Sequence, residues 1–338
     1  MSETTTEINK KRNIFITGGA GFIGSYLCST FLQQGASVYI LDDLSTGSRK
    51  NLVVHPDLHL FVGSIMDKDF MLDFRKFKFD LIIHLASIVG MRLATRYQQK
   101  TYDIATAGTQ NVLDIFNNIP VVLFSSSAVY GLNNGNNLSE SRPISYDGLL
   151  ESDGGKKGYC CGKYEMEQIG LTAAEKGRKV MILRPFNVIG IKQVCTYGMV
   201  VPNFIEMAFA QQPITIFDDG NQVRSFSCVK HFVKLFFELL RSEKVWIKGT
   251  NIINVGTPVG SSIAELADIV IGETGSVSCK VFKPYKEIFL HHTDVRYRVP
   301  NTIYVESIVG KNEWPSLRQI VKGIIHFKHI VQKEEGYM

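Results

Sequence analysis

Thr17-Gly18-Gly19-Ala20-Gly21-Phe22-Ile23-Gly24 is the stretch from which the rest of this chain is read. Gly18, Gly21 and Gly24 follow the apolar run Ile14-Phe15-Ile16 and precede a helix-like run from Phe22 to Gln34. Strand, glycine turn and helix, in that order, make the site a dinucleotide needs. Glycine reaches backbone torsions closed to other residues. It also lets the main chain approach a pyrophosphate with no side chain between them. The free N–H groups and positive end of the helix then face that pyrophosphate. The next apolar run, Val38-Tyr39-Ile40-Leu41, ends in Asp42, at the spacing of about 20 residues where such sites place an acid on the ribose. A carboxylate there binds the adenosine ribose hydroxyls and repels a 2′-phosphate. The expected cofactor is therefore NAD, with Arg49 in the following loop as the one sign toward NADP.

Outward from this stretch, strand-like and helix-like segments alternate. Strands are expected at 13–17, 37–42, 58–62, 80–85, 120–126 and 179–184, and helices near 22–34, 67–76, 101–117 and 159–176. This is the α/β alternation of a Rossmann-type, doubly wound parallel sheet. After Arg184-Pro185-Phe186-Asn187 the pattern loosens into a smaller α+β lobe. It has expected helices near 200–211, 228–241 and 315–332 and a strand at Ile252-Ile253-Asn254-Val255. Ser262, with Glu265 three residues later, has the spacing of a capping box and opens a further helix. The expected organisation is a flexible arm at 1–11, a dinucleotide-binding domain at 12–185 and a substrate lobe at 186–338. Segments near 228–257 are candidates to return to the first domain. A cleft between the two, at the carboxyl ends of the strands, would hold the substrate.

The chain has 338 residues, 45% apolar and 20% charged, which is ordinary globular composition. Its formal charge of +5 comes without a basic run beyond Lys10-Lys11-Arg12, so no nucleic-acid partner is expected. Met1 to Asn13 is polar and carries no secretion-signal pattern. No apolar stretch reaches membrane-spanning length, so no membrane partner is expected. Cys28, Cys160, Cys161, Cys195, Cys228 and Cys279 form no Cys-x-x-Cys pair and no zinc-like spacing with histidine. Free thiols, no metal and a cytoplasmic location are the expectation.

Tyr159-Cys160-Cys161-Gly162-Lys163 places a tyrosine and a lysine on one helical face. A lysine ammonium beside a phenol stabilises the phenolate, and a tyrosine so tuned can move protons near neutral pH. Upstream, Val122-Leu123-Phe124 runs into Ser125-Ser126-Ser127. Those hydroxyls fall at the carboxyl end of a strand, where ligands bind in such sheets, although simple turn chemistry also uses serine.

Taken in order, Thr17–Gly24, Phe124–Gly131, Tyr159–Lys163 and Leu183–Asn187 resemble the extended short-chain dehydrogenase/reductases. More narrowly, the chain looks like the NAD-dependent nucleotide-sugar epimerase/dehydratase family, from about residue 13 to 325. The resemblance implies that Tyr159 takes a proton from a sugar hydroxyl. Lys163 would hold the nicotinamide ribose and lower the tyrosine pKa, and Ser126 would hold the sugar oxygen and relay the proton. Gly18, Gly21, Phe22, Ile23, Gly24, Asp42, Ser64, Ile65, Leu85, Ala86 and Ser87 would join Tyr159 and Lys163 around the cofactor. Substrate contacts would come from Ser127, Asn187 at the diphosphate, Val201 in a loop from Gly198 to Phe204 over the base, Arg224 as a phosphate clamp, and Arg298. Arg92, in Gly90-Met91-Arg92, resembles an arginine of uronic-acid epimerases. Three positions depart from the family pattern: Ser64 replaces a frequent aspartate, Ala105 an asparagine and His231 an acid. A homodimer through the helices near 101–117 and 159–176 is also implied.

The residues after Ser126 bear on the reaction. Related 4,6-dehydratases carry Asp-Glu there and decarboxylases usually Ser-Glu, whereas this chain has Ser127-Ala128. Eliminating water needs an added acid/base pair. The expectation is therefore an NAD-dependent 4-epimerase of a nucleotide-diphosphate sugar, UDP-linked, working through a 4-keto sugar. A dehydratase, decarboxylase or 4-ketoreductase on the same scaffold is the alternative. A non-catalytic dinucleotide-binding regulator is the alternative of another class.

Overall fold

The computed structural model describes residues 11–132, 135–151, 157–246, 252–284 and 295–334. Nearly all of the expected arm therefore lies outside the described residues. Lys11, at its end, forms an ion pair with Asp57.

Seven parallel strands build the main sheet: β1 Asn13–Thr17, β2 Ser37–Asp42, β3 Leu58–Val62, β4 Leu81–His84, β5 Val121–Phe124, β6 Val180–Pro185 and β7 Ile252–Val255. Their spatial order is β7-β6-β5-β4-β1-β2-β3. Strands covered on both faces read as continuous apolar runs. In β1, Ile14, Phe15 and Ile16 are all 0% exposed, and burial of each contributes about 1.5–3 kcal/mol. Successive side chains point to opposite faces. Ile14 and Ile16 enter a core with Leu27, Phe31, Phe232 and Phe236. Phe15 enters the other, stacked on Phe79 with ring centroids 4.9 Å apart. The strand order reverses beside β1, so the crossovers on its two sides diverge and leave a crevice at the carboxyl ends.

The chain crosses between the two halves more than once. Helix Val229–Arg241 lies against helix Phe22–Gln33, with Phe31 and Phe237 ring centroids 4.6 Å apart. β7 then pairs with β6, Ile253 opposite Leu183. In the other direction, the strand Gly135–Leu138 leaves the first half and pairs with Tyr297–Pro300 in a four-stranded sheet. That sheet also contains Val223–Ser225 and Gly260–Ser262. A third core, with Phe204, Ile205, Leu266 and Ile324, holds helices Val200–Phe209, Ile263–Thr274 and Leu317–Glu334 together. The Ile263–Thr274 helix is capped as its sequence suggests, with Ser262 Oγ accepting from Glu265 N at 3.0 Å.

The helix expected near 101–117 is present from Gln98 to Ile115, but its winding changes along the way. It runs as Gln98–Asp103, a wide π turn over Ile104–Gly108, then Thr109–Ile115. Thr109 Oγ1 donates to Ala105 O at 2.6 Å inside that turn. A widened turn of this kind is frequent at functional sites.

Candidate active site

A cavity of about 820 Å³ opens at the carboxyl ends of the strands. Its first end is made largely of main chain. Gly18, at φ +73°, packs so closely on β4 that a Cβ there would lie 2.7 Å from Ala86 N. A Cβ on Gly24 would lie 2.4 Å from Gly18 O. Helix Phe22–Gln33 starts at Gly21 with no side-chain cap and no acid in its first turn. Its N–H groups and positive end are thus left for an anion. Gly21, Phe22, Ile23, Ser64, Ile65, Leu85, Ala86 and Ser87 line this end together with Gly18, Gly24 and Asp42.

Asp42 is 7% exposed. Its Oδ2 accepts from Ala20 N and its Oδ1 from Leu44 N, each at 2.9 Å. Burial pushes its carboxyl up, and these two bonds pull it back. Each oxygen keeps a lone pair for a ribose hydroxyl. The cradle that excludes a Cβ, the uncapped helix end and the buried acid fit a dinucleotide with a free 2′-hydroxyl.

The second end is made of side chains. Lys163, 2% exposed, donates from Nζ to Phe124 O at 2.7 Å. Burial pushes its ammonium down to about 7, while nearby Glu167 favours the charged form. Ser126 lies beside Tyr159 and favours its phenolate, and its Oγ accepts from Ala128 N at 3.1 Å. One expectation needs correcting here. Burial raises the Tyr159 pKa, and the group opposing that rise is Ser126 rather than Lys163, whose Nζ sits 6.0 Å from the tyrosine ring centroid. The lysine is turned toward the strand end, so its charge bears on the main chain there before it bears on the phenol.

Ser126, Ser127, Tyr159, Lys163, Asn187 and Val201 all line the cavity. Asn187 is held at φ +22° and donates from Nδ2 to Ser225 O at 2.9 Å. The three arginines do not line the cavity. Arg92 is exposed on helix Met91–Arg96. Arg224 and Arg298 stand side by side on neighbouring strands, and Arg298 donates to Gly131 O. Of the departures, Ser64 lines the cavity, Ala105 is buried in the π turn, and His231 packs on Trp314 with centroids 4.5 Å apart.

Two features of the site went unread in the sequence. Residues 192–199 roof the cavity and are pinned at both ends: Lys192 Nζ donates to Asn51 O at 2.6 Å, and Tyr197 O accepts from Arg92 N at 3.3 Å. Composition carries no signal for such a strap. A buried polar chain also lies behind the serines, running through Glu167, Arg184, Tyr130 and Asn254. Its signal was present, since Glu167 falls one helical turn after Lys163.

A switch-point crevice with a glycine cradle, a ribose acid and a serine–tyrosine–lysine set defines an extended short-chain dehydrogenase/reductase. The model of the NAD dependent epimerase/dehydratase family matches residues 14–256. The chain belongs to that family, and its cofactor is NAD. It is 28% identical over 317 residues to UDP-glucuronic acid decarboxylase 4 of Arabidopsis thaliana, covering 92% of this chain and 67% of that protein. It is 31% identical over 291 residues to a putative UDP-glucose 4-epimerase of Methanocaldococcus jannaschii, covering 84% and 90%. Across three Arabidopsis decarboxylases the chain spans 61% to 67% of their length. Among solved structures, UDP-N-acetylglucosamine 4-epimerase from Methanobrevibacter ruminantium M1, in complex with UDP-N-acetylmuramic acid, superposes with TM-score 0.81. It is 25% identical, over 96% of this chain and 100% of that one.

Proposed function

We propose that this protein is a 4-epimerase of a UDP-linked sugar. The observation that supports the reading best is the combination of residues at the reacting end. Ser126, Tyr159 and Lys163 line one cavity, and the only carboxylates among its described lining residues are Asp42 and Asp43 at the adenosine end. Bound NAD supplies reversible oxidation at the sugar carbon. Tyr159 takes the proton of the C4 hydroxyl and, once the 4-keto sugar has turned its other face to the cofactor, gives a proton back to the C4 oxygen. Ser126, beside Tyr159, holds the C4 oxygen and relays that proton. The buried ammonium of Lys163 binds the ribose of the cofactor. Residues 192–199 cover the site, which keeps water from the 4-keto sugar. Ser127, Asn187 and Val201 contact the substrate in this reading. Arg92, Arg224 and Arg298 would have to reach it from outside the lining. A homodimer and a cytoplasmic location belong to the same proposal.

Decarboxylation is the second reading, favoured by the uronate decarboxylases among the relatives. A 4-keto uronate loses carbon dioxide readily, so the same oxidation at C4 would start either reaction. Mass spectrometry and NMR of products from a panel of UDP-sugars and UDP-uronates test the choice. An isomer of unchanged mass supports epimerisation, and loss of carbon dioxide overturns it.

A further inference from the structure

Three successive residues at the carboxyl end of β5 are each held by a different turn of one helix, Lys157–Glu175. Lys163 Nζ donates to Phe124 O at 2.7 Å, Ser125 Oγ donates to Glu167 Oε1 at 2.5 Å, and Ser126 lies beside Tyr159, whose phenolate it favours. Tyr159, Lys163 and Glu167 follow at four-residue intervals, so they share one face. Two of the three rungs contain the reacting set described above. The Glu167 rung does not, because Glu167 is 0% exposed and does not line the cavity.

Glu167 is braced from behind. Arg184, on β6 and 2% exposed, donates from Nε to Oε1 at 2.9 Å and from Nη2 to Oε2 at 2.6 Å. This fork geometry fixes direction as well as distance. Arg184 Nη1 also donates to Tyr130 OH at 3.0 Å, and Tyr130 OH lies 2.8 Å from Asn254 Oδ1 on β7. A buried ion pair is no gain in stability over well-packed apolar residues of the same size. Its presence beside the reacting set therefore calls for another role, and its placement gives one: a fixed acceptor for Ser125 and a fixed negative charge one turn from Lys163.

We propose that Glu167, braced by Arg184, is a positioning residue that holds the Ser125–Ser126 strand end against Tyr159 and keeps Lys163 cationic in a dry site. The inference rests on reading Ser126, Tyr159 and Lys163 as the reacting set. The groups around Lys163 are Tyr159 and Glu167 on its own helix, His84 from β4, and Arg184 from β6 beyond the carboxylate. His84 is wedged between Thr17 Oγ1 at 2.7 Å and Thr109 Oγ1 at 3.0 Å, and burial pushes its pKa down to about 3, so it is neutral. Among these described groups Glu167 is the only carboxylate, and it is paired with Arg184. Without Glu167, the buried lysine loses the one nearby charge that favours its ammonium and gives up its proton at lower pH.

The test is a pH titration of enzyme labelled with ¹³C at lysine Cε and loaded with NAD. The Lys163 signal is assigned by its loss in Lys163→Met. In Glu167→Gln its midpoint falls by about one pH unit or more relative to wild type. The limb of the pH–kcat profile that is lost as pH rises moves down by the same amount, with KM within about twofold. An unmoved midpoint, or kcat lost equally at every pH, overturns the proposal. Should Glu167→Gln not fold, Glu167→Asp keeps the charge and shortens the reach. It should leave the midpoint in place and lower kcat by about tenfold or more; unchanged kcat overturns the positioning role. The titration needs no sugar. A shifted midpoint in an enzyme that epimerises nothing removes the proposed reaction and leaves this inference standing.

Discussion

The two ends of the cavity are built from different materials. At the cofactor end the contacts are main chain: the Gly18–Gly24 turn, the helix N–H groups, and the Ala20 and Leu44 amides that fix Asp42. All of it but Asp42 and Leu44 comes from one short run of sequence. At the reacting end the contacts are side chains from β5, helix Lys157–Glu175, β6 and β7, tied through Glu167 and Arg184. A main-chain site fails when atoms are added to it, because the backbone has nowhere to go. A side-chain site fails when atoms are removed, while the fold around it stands.

Three substitutions and one control break or sharpen that contrast. The largest effect is expected from Tyr159→Phe, which removes one oxygen from the reacting end. Turnover falls by about a thousandfold, while bound NAD and melting temperature stay near wild type. A loss below tenfold would place proton transfer elsewhere. Next is Gly24→Ala, which adds one carbon at the other end. Its Cβ would meet Gly18 O and Gly19 Cα, neither of which can rotate away. A cost of about 1–3 kcal/mol in stability is expected, with loss of co-purified NAD, read by thermal melting and by absorbance of the extracted cofactor. Gly272→Ala is its control: nothing lies within 4 Å in helix Ile263–Thr274, so the protein should gain about 0.5–1 kcal/mol. The smallest effect belongs to Asp42→Asn, which changes charge and not size. NAD binding measured by calorimetry weakens by about tenfold, and the preference over NADP narrows as the repulsion of a 2′-phosphate goes.

Much of the fold was legible because parallel strands covered on both faces read as plain apolar runs. β1, β2 and β3 begin and end where their sequences suggest. The π turn over Ile104–Gly108 was not legible, because no residue type marks a single widened turn. Tyr159, Lys163 and Ser126 stood out through the spacing of tyrosine and lysine and the position of a serine run after a strand. Glu167 and Arg184 did not, since each is unremarkable until the other is beside it. Arg224 and Arg298 were read as ligands from their surroundings in sequence. The structure places them together on the second sheet, outside the cavity lining.

Local chemistry in the chain determined the glycine cradle, the ribose acid, the parallel α/β order and the residue types for proton transfer, because each depends on neighbours within a few turns or one strand. Tertiary structure alone decided which charges meet. It brought β7 from residue 252 onto β6, set Arg184 against Glu167, turned Lys163 toward Phe124 O, and left Ser126 as the partner of Tyr159. Burial and electrostatic pairing depend on distance through space, and distance along the chain does not supply it.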